Sequence, residues 1–112
     1  MSVAGFYRYD SGKRAGMLYQ EFGSSPRDKL AEDSEKTESA VRRLVIMKER
    51  WDRLPRTIRV QLAPIEWPAV TGTWERNAGR HVGVDTKELW ETVIEKLPEM
   101  SRKTEELLKS QS

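Results

Sequence analysis

Apolar residues recur at helical spacing over residues 34–54. Ala40, Leu44, Met47, Trp51 and Leu54 follow one another at steps of four, three, four and three, which sets all five on one stripe of a helix. Ser34 is the expected N-cap, because its hydroxyl can accept from an amide that has no helical partner. Glu35 and Glu38 suit the positive end of the helix dipole, and Arg50 and Arg53 suit the other end. Pro55 restricts Leu54 and has no amide to donate, so the helix stops there. A second helical pattern covers 85–97. Leu89, Val93 and Leu97 share a face with Trp90 and Ile94 beside it, and Asp85 precedes Glu88 at the spacing of a capping box. Pro98 ends or kinks this helix, and Met100, Leu107 and Leu108 suggest a polar continuation that frays.

The remaining segments carry weaker periodicity. Gly5, Gly12, Gly16 and Gly23 punctuate Phe6, Tyr7, Tyr9, Tyr19 and Phe22, and Asp10-Ser11-Gly12-Lys13 has turn chemistry. This region reads as an irregular aromatic arm or as a hairpin of strands near 6–9 and 17–22, with the arm preferred; either needs packing elsewhere. Ser24-Ser25-Pro26 breaks the chain. Over 56–63, Ile58, Val60 and Leu62 alternate as in a strand, yet Pro55 could equally open a short helix that puts Ile58 and Leu62 on one face. The stretch 64–74 holds two prolines, one glycine, Trp67 and Trp74 and reads as an extended strap, followed by a loop over 77–83. The expectation is a single, mainly α domain: an arm or hairpin at 1–33, a helical body with strap at 34–97 and a polar extension at 98–112.

Composition makes that core marginal. Of 112 residues, 37% are apolar and 34% charged, against about 45–50% and about 25% in ordinary domains. Part of such a chain stays unstructured, or the core is completed by a protein partner or a second copy. The net charge of +2 is spread over a mixed surface, weaker than the excess a general nucleic-acid binder shows. With no cysteine, disulfides, thiolate metal sites and cysteine nucleophiles are excluded, in keeping with the cytoplasm or another reducing intracellular compartment. No run approaches the ~18–20 apolar residues that span a bilayer. Arg8, Lys13 and Arg14 against Asp10 would suit a mitochondrial presequence, but Gly5, Gly12 and Gly16 argue against a stable helix there.

Little of the chain reads as chemistry. His81 is the single histidine, without the strand-turn-helix setting of a nucleophile, and is expected to be an ordinary loop residue. One histidine and no cysteine leave no zinc-type ligand set. Gly12-Lys13 is a fragment of a phosphate loop that lacks the earlier glycine and the following Ser or Thr. Glu91, Glu95 and Glu99, with Lys87 and Lys96 nearby, form a solvated helix face. No catalytic residue and no cofactor is expected. The candidate contacts are Arg42, Arg43, Arg50 and Arg53, which share an arc of roughly 100° beside the apolar stripe, together with Trp67 and Trp74. Trp and Arg dominate binding energy at protein surfaces, and clustered arginines also grip phosphates. The leading expectation is a non-enzymatic interaction, adaptor or accessory subunit; the alternative is a small nucleic-acid-binding or regulatory protein that uses the arginine face.

Overall fold

The N-terminal segment is a helix, not an arm or a hairpin. In the computed structural model, which describes residues 2–22, 32–62 and 65–110, helix α1 runs without a break through Val3–Gly5, Phe6–Arg14 and Ala15–Phe22. Its middle portion has the wide π pattern. Three glycines in a helix cost about 3 kcal/mol relative to alanine. Phe6, Leu18 and Phe22 become fully buried, and burial contributes about 1.5–3 kcal/mol for each such side chain, so packing outweighs propensity. Gly12 also has a local reason: a Cβ there would lie 2.6 Å from the Tyr7 carbonyl oxygen. The glycine argument against a helix at the N-terminus therefore fails.

Helix α2, Ser34–Asp52, carries the expected apolar stripe, with Ala40, Leu44, Met47 and Trp51 buried. Its cap is Asp33, one residue earlier than expected, whose carboxylate accepts from the Lys36 amide at 3.0 Å. Beyond Pro55 the chain forms a short helix, α3, Arg56–Arg59. Ile58 and Leu62 are buried while Val60 is 71% exposed, the pattern of a helical face and not of a half-buried strand.

Only part of the expected strap is extended. Trp67–Thr71 is a short helix, α4, with Pro68 in its first turn, where the missing amide costs no helical bond. Strands β1, Thr73–Glu75, and β2, Arg80–Val82, then pair antiparallel, with Thr73 opposite Val82, Trp74 opposite His81 and Glu75 opposite Arg80. The loop expected over 77–83 is thus half strand. Gly72 makes the hairpin possible: its φ is +59°, and a Cβ would stand 2.3 Å from the Val82 carbonyl oxygen. The Asp85 amide donates to the Ala69 carbonyl at 2.8 Å, closing the hairpin onto α4.

The last helix, α5, does not end at 97. It continues through Thr86–Glu91, a π stretch Thr92–Lys96, and Leu97–Ser110. Asp85 caps it, accepting from the Glu88 amide at 3.1 Å. The Leu97 amide reaches the Thr92 carbonyl, and this wider turn makes room where a proline ring at 98 would crowd the carbonyl four residues back. Leu97, Met100 and Thr104 are buried beyond it, so the expected frayed extension belongs to the core. Trp51 joins the elements, its ring centroid 6.1 Å from Phe6 and 6.0 Å from Trp67. The break at Ser24-Ser25-Pro26, the strap's first residue Pro64, and the tail residues 111 and 112 lie outside the described residues.

Candidate functional site

Glu38 lies just over one turn into α2, and its carboxylate reaches the hairpin. One oxygen accepts the His81 backbone amide at 3.1 Å and the other the His81 ring Nδ1 at 2.8 Å, across 43 positions of sequence. Burial pushes the Glu38 carboxyl up, but hydrogen bonds from the His81 ring and amide, the charge on His81 and the bond from Arg42 together outweigh it and hold the carboxyl below its ordinary value. Glu38 is therefore ionised at neutral pH and can only accept, which makes Nδ1 the donor and fixes the imidazole tautomer. Nε2 is left as the ring nitrogen that can take or give a proton.

Cations and an aromatic ring surround this pair. Arg42, exposed on α2, lies 3.4 Å from Glu38. Arg80 on β2 is exposed, as is Arg76 in the hairpin turn, and among the described residues neither is held in an ion pair. A groove of about 470 Å³ is lined by Ser34, Glu35, Glu38, Ser39, Arg42, Arg43 and Arg80. A second, of about 240 Å³, is lined by Glu38, Arg80, His81 and Val84 among others. Glu38 and Arg80 belong to both. Trp74 stands edge-on to His81, with ring centroids 5.1 Å apart and planes at 68°. An imidazole oriented by a carboxylate, with guanidinium groups lining the same groove, is suited to moving a proton beside a bound phosphate.

The arginines expected to share one face have different fates. Arg42 reaches the groove. Arg43 lines it while paired with Glu21 at 2.6 Å. Arg50 turns inward: its Nε donates to Asp10 at 2.5 Å, and Arg14 donates to the same buried carboxylate at 2.5 Å. Arg53 is exposed at the C-cap of α2. Trp67 is 7% exposed and packs in the core, whereas Trp74 is 51% exposed. Glu38, Arg80 and His81 escaped the sequence reading as site residues. One signal for them existed: Arg80-His81-Val82 sits between Gly79 and Gly83, and pairing it with Thr73-Trp74-Glu75 as a hairpin would have set His81 opposite Trp74. Nothing local announces that Glu38 meets them.

Among the described residues, no group of three His, Cys, Asp or Glu side chains is placed to hold a metal ion, and no helix is long and apolar enough to cross a membrane.

Fold and site together define a small, mostly helical protein with a histidine–carboxylate pair set among arginines. The chain is 27% identical over 75 residues to a protein of Caldanaerobacter subterraneus subsp. tengcongensis named "Putative RNase", an alignment that covers 67% of each chain. No family model and no solved structure gave a significant match.

Proposed function

We propose that this protein binds RNA in the groove between α2 and the hairpin and cleaves it, with His81 moving the proton. The observation that carries the reading is the two-point grip of Glu38 on His81, which sets the orientation of the ring as well as tying the hairpin to α2. Arginines beside the ring supply phosphate affinity, and the similarity to a protein named as an RNase points the same way. In the proposed step the ribose 2′-oxygen attacks the adjacent phosphorus while its proton passes to Nε2 of His81. The bond from phosphorus to the 5′-oxygen breaks, and the imidazolium returns the proton to that oxygen. The products are a 2′,3′-cyclic phosphate and a 5′-hydroxyl end. Arg42 and Arg80 offset charge on the phosphate as it develops.

Cleavage of end-labelled RNA by the purified chain tests this. His81→Ala should lower the rate by about 10²–10⁴, the usual worth of positioned acid–base catalysis, with an unchanged circular dichroism spectrum. Glu38→Gln should lower it as well, since the tautomer and orientation are then no longer imposed. Equal rates for wild type and His81→Ala would overturn the reading.

A second reading, a non-catalytic interaction or accessory subunit, is favoured by α1. Tyr9, Met17 and Tyr19 are each 44–49% exposed there, and Tyr9 and Met17 share a shallow pocket with Lys13 and Arg14. Light scattering that gives a lone monomer, with and without cell extract, would remove its support.

A further inference from the structure

Trp74 is a large apolar side chain left half in water while Trp51 and Trp67 are 9% and 7% exposed. It is nevertheless anchored at one edge. It is paired with His81 across the hairpin, its ring packs on the imidazole at 5.1 Å, and that imidazole is tied to α2 by Glu38 at two points. Gly72 fixes the entry to β1 by its close approach to Val82. An exposed aromatic ring held at one edge by the imidazole is what an unpaired base stacks upon, because every base offers a π-face.

We infer that Trp74 is the platform for an unpaired base next to the phosphate held at His81, and that the substrate is therefore single-stranded RNA; the inference rests on the RNA-cleaving reading. A base in a duplex is already stacked on both faces and must be unstacked and unpaired before it can meet Trp74. A base in a single strand meets the ring directly. Contact between Trp74 and His81 then places the sugar and phosphate of the stacked nucleotide beside the atom that takes the proton. Arg80, adjacent to His81 and lining the groove with Arg42, meets the phosphate backbone without reading its sequence, so the site discriminates strandedness more than sequence.

The test uses the full chain and a non-cleavable 2′-O-methyl oligoribonucleotide of roughly ten nucleotides, single-stranded or annealed to its complement. Tryptophan fluorescence should be quenched by the single strand and much less by the duplex, and Trp74→Phe should remove most of the quenching while keeping most of the affinity. Trp74→Ala should weaken single-strand binding about tenfold or more and leave duplex binding unchanged; the residue is exposed, and circular dichroism checks the fold. Equal affinity for duplex and single strand, or unchanged affinity in Trp74→Ala, overturns the inference. Cleavage measured in parallel separates the two claims. RNA cut equally well by wild type and Trp74→Ala removes the platform and leaves the RNase reading standing. Single strand bound through Trp74 by a chain that cuts no RNA removes the RNase reading and leaves the platform as a binding site.

Discussion

Asp10 is fully buried and accepts from two guanidinium groups, Arg14 on its own helix and Arg50 on α2. A buried carboxylate without partners is prohibitive, and with two it becomes a cross-link between helices. Asp10→Asn removes the charge and strands both arginines. Breaking a buried pair costs roughly 3–5 kcal/mol. Because Arg14 and Arg50 keep 30% and 26% side-chain exposure and can be rehydrated, the lower end of that range is expected. Urea unfolding should show a reduced midpoint at unchanged slope, while RNA cleavage below the transition should be retained, since neither arginine lines the groove. From sequence, Asp10 reads as a turn residue and Arg50 as part of an arginine face offered to a partner. Each assignment follows local chemistry, and the partnership that reverses both spans 40 positions.

At the scale of elements, the legible parts are those whose apolar spacing is strong and local. The α2 stripe and the start of α5 with its Asp85 cap are of this kind. What the sequence hides is set by compensation from elsewhere. Glycines at 5, 12 and 16 argue against α1 until the burial of Phe6, Leu18 and Phe22 is counted. Pro98 argues for a stop until the preceding π turn makes room for its ring. The strands are three residues each, too short for periodicity to show, and positive-φ glycines at 72, 79 and 83 bracket them. The C-terminal half of α5 offers a direct check. Met100 is fully buried, so Met100→Ala should cost about 2–5 kcal/mol, read as a lowered urea midpoint. In a frayed extension the same substitution would cost nothing measurable. Val60→Ala, at a site 71% exposed, is the control and should stay within about 0.5 kcal/mol.

For the whole molecule, the division of arginines matters more than their number. A net charge of +2 does not mark the chain as a nucleic-acid binder, and the arginine arc of α2, taken as a uniform face, overstates the cations available. Arg50 is committed to Asp10 and Arg43 to Glu21. The hairpin meanwhile adds Arg80, which no helical pattern could assign to this surface, and it brings it to the groove that Arg42 and Glu38 line. The groove thus has two arginines for phosphates, Arg42 and Arg80, and each phosphate neutralised on a single strand contributes about −0.7 to the slope of log affinity against log salt. A slope of about −1.4 is expected for single-stranded RNA. Arg80→Gln should make it shallower by about 0.7 and leave the urea midpoint unchanged, because Arg80 is exposed and holds no ion pair among the described residues. Arg50→Gln should do the reverse, leaving the slope unchanged and lowering the midpoint as the tie to Asp10 is lost. A salt slope that responds to Arg50 and ignores Arg80 would place the RNA on the outer face of α2 and away from the hairpin, and would separate phosphate binding from the histidine proposed to act upon it.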